Sequence, residues 1–192
     1  AVLKTSITNR DKSRVVGILA KKYYTKGILD LSAYDTIMEE VKISPTNADV
    51  LLKDYFNKNI PQFNIVSLID ETKILSNQDI NNKISLINFF ASWCAPCRIE
   101  VPIMEELSKI VPVIGVAYKD KFIDTKKFLT EFGNPYKNVG LDEYGKVAIE
   151  WGVYGVPETF LINKKGKIIY RHAGPLLYDS FKFKVLPIIQ EN

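Results

Sequence analysis

An apolar run from Ile84 to Phe90 leads within four residues into Cys94-Ala-Pro-Cys97, and these are the only two cysteines among 192 residues. The run is rich in Ile, Leu and Phe and follows a charged turn, which predicts a buried central strand. Behind the cysteines, Ile99, Met104, Leu107 and Ile110 recur at helical spacing, so a helix should start at once, with Pro102 bending it. Two thiols separated by two residues at a helix start can close a small disulfide ring. The helix N-terminus favours the thiolate of the first. The chemistry this pattern describes is dithiol/disulfide exchange, with Cys94 reachable at the helix tip and Cys97 buried behind it.

A zinc site is the competing reading of the same pair. Such a site takes about four ligands, and the chain offers two cysteines and a single distant histidine, His172. No metal and no cofactor is therefore expected. The two thiols and His172 leave copper handling as the non-enzymatic alternative. At 46% hydrophobic residues the chain can fill one domain and an extra element. The net charge of +4 comes from lysines scattered along the chain, which gives a nucleic-acid partner little support. No apolar stretch reaches the roughly 18 residues of a membrane span, and no signal-peptide pattern opens the sequence. Because the first residue is Ala1 rather than Met, a mature or truncated form is expected, from which an anchor could have been removed.

Taken in order, residues 1–58 differ from the rest. Val15 to Tyr24, Leu31 to Val41 and Ala48 to Phe56 predict three short helices. Val15, Ile18, Leu19 and Tyr23 form one apolar stripe, and Tyr34, Ile37, Met38 and Val41 another. A hairpin this small cannot bury both stripes alone. It should dock on the main domain or self-associate with a second copy. The main domain, residues 59–192, opens with a β-hairpin, Phe63 to Leu68 and Lys73 to Leu75. After the cysteine helix come a strand (Val111 to Tyr118), a helix (Thr125 to Phe132), a short strand (Asn138 to Leu141) and a short helix (Lys146 to Trp151). Two strands around the Lys164-Lys165-Gly166 turn and a closing helix, Tyr178 to Ile189, end the domain.

This order is that of an α/β thioredoxin fold with an N-terminal β-hairpin and a central insertion, preceded by a small helical extension. From about residue 60 to 190 the chain closely resembles the DsbE (also called CcmG) family of cytochrome c maturation proteins. The resemblance is carried by Trp93-Cys-Ala-Pro-Cys97, Gly115-Val-Ala-Tyr-Lys-Asp120, Gly133-Asn-Pro-Tyr136, Gly152-Val-Tyr-Gly-Val-Pro-Glu-Thr-Phe-Leu-Ile162 and Tyr170-Arg-His-Ala-Gly174. It implies a periplasmic thiol:disulfide oxidoreductase held to the inner membrane by a segment absent from this chain. Its substrates would be protein thiols or disulfides, in apocytochrome c or a maturation factor, and its electron donor a membrane protein of the DsbD or CcdA type. Other clients, served by a thioredoxin-like reductase or an oligomeric disulfide isomerase, are the alternative.

Ordinary thioredoxins carry a buried carboxylate six residues before the first cysteine, where this chain has Asn88. The proton acceptor for Cys97 must then come from elsewhere. Glu100 stands in the first turn after Cys97, and Glu158 follows Pro157, the residue the family holds in the cis form against the disulfide. Either glutamate could take the proton, or could raise the thiol pKa and make the pair a reductant. Trp93, Tyr154 and Val156 are expected to line the substrate groove. His172 is expected to be structural, and Arg98 a solvated charge.

Overall fold

The structure is a computed structural model; it describes residues 59–80 and 82–192, together with Gly17, Ala20 and residues 35–39. The chain divides into two compact units, Ala1–Lys58 and Asn59–Asn192. In the first, Gly17, Ala20 and residues 35–39 are helical, and a Cβ added to Gly17 would lie 3.9 Å from the Met38 methyl. The segments at 17 and 38 therefore lie side by side. The remainder of the expected three helices, including most of both apolar stripes, lies outside the described residues.

The second unit is built on a five-stranded sheet in the order β5-β4-β3-β6-β7. Its strands are β3 (Ser85–Phe90), β4 (Val113–Tyr118), β5 (Asn138–Asp142), β6 (Glu158–Ile162) and β7 (Ile168–Ala173). The pairs β3–β4 and β4–β5 are parallel, while β3–β6 and β6–β7 are antiparallel. Every residue of the central strand β3 is buried. That is why it reads as an unbroken apolar run and not as an alternating one.

The two faces of the sheet are covered differently. On one, Ile87 and Phe89 join Ile114, Val116, Phe160 and Ile162 under helix α3 (Lys146–Glu150) and the hairpin β1–β2 (Asn64–Val66 and Ile74–Ser76). Trp151 anchors this layer with its ring 5.2 Å from Phe160 and 5.8 Å from Phe89. The pair with Phe160 is edge-on and the pair with Phe89 tilted; favourable aromatic pairs add about 0.5–1.5 kcal/mol beyond their burial. The hairpin docks on β5 through Ile65. A Cβ at Gly140 would come within 2.0 Å of Ile65 Cδ1, so only glycine leaves room for that side chain.

The other face carries α1 (Ala95–Ser108) and α2 (Phe122–Phe132), with Phe90 against Phe128 at 5.6 Å. The inner side of α1 is Cys97, Glu100, Val101, Met104 and Leu107. Ile99 and Ile110, expected on that side, are instead 63% and 48% exposed. The physical reason is register: the helix is capped at Cys94, which turns positions 97, 100, 101 and 104 toward the sheet and places a sulfur and a carboxylate where the periodicity suggested isoleucines. Pro102 lies inside α1 as expected. The closing helix runs as α4 (Tyr178–Ser180), a π-helical stretch Phe181–Val185 and α5 (Leu186–Glu191), and it buries Val185, Ile188 and Ile189.

Candidate active site

Strand β3 ends at Phe90 and the chain turns through Ala91, Ser92 and Trp93 to the tip of α1. Asp120, buried at the end of β4, holds this turn. Its carboxylate accepts the Ser92 N–H at 2.6 Å and the Ser92 hydroxyl at 2.8 Å. The Trp93 indole donates to the Lys119 carbonyl at 3.1 Å, leaving most of the ring in solvent.

Cys94 is the N-cap of α1, and its Sγ accepts the N–H of Cys97 at 3.2 Å. A sulfur in that position faces the positive end of the helix, where a thiolate is favoured over a thiol. The two cysteines form a disulfide with their Cα atoms 5.4 Å apart. In this oxidised state Cys94 is only 4% exposed and Cys97 1%. Both cysteines are thus buried in this state, Cys94 included, although it stands at the tip of α1.

The cover is the segment before β6. The Val156–Pro157 peptide bond is cis, and the Val156 carbonyl oxygen lies 3.5 Å from Cys94 Sγ. Tyr154, in the same segment, is 89% exposed, with the Arg171 guanidinium 4.9 Å from its ring centre. Arg98 is not a merely solvated charge. It stacks on Phe132 at 5.0 Å and donates to the Ser92 carbonyl at 3.4 Å.

The two glutamates separate. Glu100, one turn beyond Cys97 on the buried side of α1, accepts the Asn88 side-chain N–H at 2.9 Å on one oxygen and the Leu176 backbone N–H at 2.9 Å on the other. Burial pushes its carboxyl up to about 7, against the two hydrogen bonds, which favour the anion. Glu158 stands opposite Phe89 in the β3–β6 register, on the Trp151 face of the sheet. One of its oxygens is paired with the Arg171 guanidinium, and the other accepts the Tyr154 N–H at 3.2 Å. The sheet therefore lies between Glu158 and the side of α1 that holds Cys97.

His172 sits on β7 between two partners. The Pro175 carbonyl can only accept, which puts the ring proton on Nε2 at 3.3 Å and leaves Nδ1 to accept from the Tyr170 hydroxyl at 3.2 Å. Burial holds its pKa below the usual range. Among the described residues, no group of three or more His, Cys, Asp or Glu side chains gathers as metal ligands would, and no helix is long and apolar enough to cross a membrane. Sequence reasoning misses Asp120, Tyr136 and Thr159 as site residues; the signal available is a polar side chain just outside a β strand for Asp120 and Tyr136, and inside the core strand β6 for Thr159.

Comparison with known proteins agrees with this geometry. The Redoxin family profile matches residues 57–182. The thiol:disulfide interchange protein CycY of Rhizobium leguminosarum bv. viciae is 42% identical over 119 residues, 61% of this chain and 64% of that protein. The thiol:disulfide interchange protein DsbE of Xylella fastidiosa (strain Temecula1) is 39% identical over 136 residues, 70% of this chain and 69% of that one. The chain spans 60% and 62% of the length of two further curated relatives. A solved structure of a thiol:disulfide interchange protein of the thioredoxin family from Chlorobium tepidum TLS superposes with a TM-score of 0.58 at 24% identity, covering 69% of this chain and 97% of its own. That match shows the thioredoxin fold. The chain belongs to the Redoxin family, and within it to the thiol:disulfide interchange proteins of the DsbE type.

Proposed function

We propose that this protein is a periplasmic thiol:disulfide oxidoreductase that works as a reductant on the cysteine pair of apocytochrome c or of an assembly partner. The observation that carries the reading is the Cys94–Cys97 disulfide at the start of α1, with the Val156 carbonyl beside Cys94. An open backbone edge next to the attacking sulfur suits an extended substrate strand, with Trp93, Tyr154 and Val156 along it.

In the reduced protein the Cys94 thiolate attacks one sulfur of the substrate disulfide, forming a mixed disulfide and releasing the other sulfur as a thiolate. Cys97 then gives up its proton and attacks Cys94. The second substrate thiolate leaves, and two electrons have passed to the substrate. Glu100 is the acceptor we assign to that proton, because it follows Cys97 by three residues on one buried helix side. Its carboxyl at about 7 lies close enough to the ordinary thiol value, about 8.5, for the transfer. Glu158 is assigned a supporting role, holding the segment at Tyr154 through its ion pair with Arg171. A membrane dithiol donor of the DsbD or CcdA type would re-reduce the pair.

The test is a Cys97→Ala variant expressed in cells, which stops the reaction at the mixed disulfide. Recovery from the periplasmic fraction of covalent adducts with CxxCH-bearing proteins is the expected result. Adducts with unrelated clients only, or none in that fraction, would overturn the assignment of client and compartment.

A further inference from the structure

The Gly133-Asn-Pro-Tyr136 and Gly115 motifs are not used by the exchange reaction itself, yet they converge beneath it. In the β3–β4 register Gly115 stands directly opposite Asn88. The Tyr136 ring lies over Gly115 and stacks on Phe90 with ring centres 4.8 Å apart. A Cβ at Gly115 would come within 2.9 Å of both Tyr136 Cγ and Phe90 Cε1, so the ring fits only because β4 has no side chain there. From this seat the Tyr136 hydroxyl donates to Asn88 Oδ1 at 2.7 Å. The Asn88 amide nitrogen in turn donates to Glu100 at 2.9 Å and to Thr159 Oγ1 at 3.1 Å.

We propose that Tyr136 and Asn88 are positioning residues for Glu100: the phenol, admitted by Gly115, fixes the Asn88 carboxamide in the orientation that presents its NH2 group to the carboxylate. Hydrogen-bond polarity sets this orientation. Were the amide reversed, its oxygen would face Glu100 and would be satisfied by a protonated carboxyl. The Tyr136 hydroxyl would then have to accept, and its own proton would be left without a partner in a buried site. The observed orientation satisfies all three groups while keeping Glu100 an acceptor. Burial and the nearby Glu100 carboxylate both push the Tyr136 phenol well above its ordinary value, so it remains a donor.

The titratable groups on this side of the sheet include Glu105 on α1, Asp120 beside the tip of α1, Tyr136 ahead of β5, and Tyr170 and His172 on β7, where His172 lies opposite Thr159 and feels Lys184; Cys97 joins them only once the disulfide is reduced. The Leu176 N–H from the segment after β7 completes the shell around Glu100. By holding Asn88 as a donor, Tyr136 acts through that amide against part of what burial does to Glu100. This inference rests on the proposed role of Glu100 as the acceptor for Cys97.

The test is titration of the Glu100 side-chain carbon by NMR in the oxidised protein and in Tyr136→Phe, Gly115→Ala and Phe128→Leu. Tyr136→Phe keeps the ring and its stacking and removes only the hydroxyl, so its midpoint should move up by about one pH unit. Gly115→Ala, which displaces the ring, should move it the same way. Phe128→Leu loosens the neighbouring packing and should lower the melting temperature while leaving the midpoint in place. An unmoved midpoint in Tyr136→Phe, or an equal shift in Phe128→Leu, overturns the proposal. The pH dependence of mixed-disulfide resolution, measured alongside, tests Glu100 separately. If the Glu100 midpoint shifts and that rate profile does not follow, the hydrogen-bond assignment stands and the acceptor role falls.

Discussion

Glu100 and Glu158 are each 1% exposed, and each lies within a few residues of the cysteine pair or of the cis proline that covers it. They lie on opposite sides of the same sheet and are held by different means. Glu158 meets a full positive charge, the Arg171 guanidinium, and the Tyr154 amide. Glu100 meets only neutral donors, Asn88 and the Leu176 amide. A guanidinium repays much of the cost of burying a carboxylate, whereas neutral donors repay less and leave the group free to gain and lose a proton near neutrality. Burial alone does not make a glutamate a proton carrier. The partners differ: a guanidinium ties Glu158 to the segment before β6, whereas neutral donors hold Glu100.

The largest effect is expected at Arg171. Arg171→Met should leave Glu158 buried without its counter-charge and remove the donor to the Gly152 carbonyl, now at 2.7 Å. Uncompensated buried charges cost about 3–5 kcal/mol, and with 30% of the Arg171 side chain exposed the lower part of that range applies, about 3–4 kcal/mol. Urea unfolding at neutral pH measures it. A loss below about 1 kcal/mol would mean that the pair does not hold the segment before β6.

Glu100→Gln should act through pH. With its carboxyl raised from the ordinary 4.5 to about 7, the folded protein binds the proton more tightly than the unfolded chain. Stability is therefore highest below about 4.5 from this group, falls as pH rises, and levels off above about 7, a change of up to roughly 3 kcal/mol. The glutamine variant should lose that fall, its profile running level where the parent declines, with a constant offset for the one donor its NH2 group cannot accept. Unfolding profiles from pH 4 to 8 that coincide for the two proteins would remove the distinction between the two glutamates.

Much of this architecture is legible in the sequence, because the strands of the five-stranded sheet are short apolar runs and Cys-Ala-Pro-Cys marks the start of its helix. The side of α1 that turns inward was harder to read. Periodicity weights Ile99 and Ile110, but the helix turns Cys97 and Glu100 inward and leaves those isoleucines in solvent. The network around Glu100 was harder still: Tyr136 is 48 residues from Asn88, and only strand register brings them together. Two local signs were present, an asparagine inside a buried apolar strand and a glycine inside its neighbour. Each is ambiguous alone, and their pairing across β3 and β4 is not a property of either segment.

Tyr154 lies on the Glu158 side, where its backbone N–H donates to that carboxylate. The ring is almost fully exposed and its main contact is the Arg171 guanidinium, so Tyr154→Ala should cost no more than about 1 kcal/mol of stability. On the proposed groove it should nevertheless slow exchange with a peptide disulfide, measured as the second-order rate of peptide thiol release. A stability loss as large as that of Arg171→Met would make Tyr154 part of the scaffold.

The smallest effect is expected at His172, and it has the opposite sign to that of Glu100. Burial, with Lys184 adding to it and the Pro175 bond opposing it, holds the imidazole below its ordinary 6.5. Below pH 6.5 the unfolded chain therefore takes up this proton before the folded one does. The contribution of His172 is present above 6.5 and is lost as pH falls through the lower folded value. Below pH 6.5, down to the lowered folded value of His172, this rise with pH offsets part of the fall due to Glu100. His172→Gln removes the offset, so unfolding free energy should decline more steeply with pH across that window than in the parent protein, while the double variant with Glu100→Gln should be nearly flat. Since His172 also ties Pro175 to β7, one residue before the Leu176 amide that Glu100 accepts, the same series separates titration from loop anchoring. A His172→Gln profile displaced equally at every pH would assign His172 to anchoring alone.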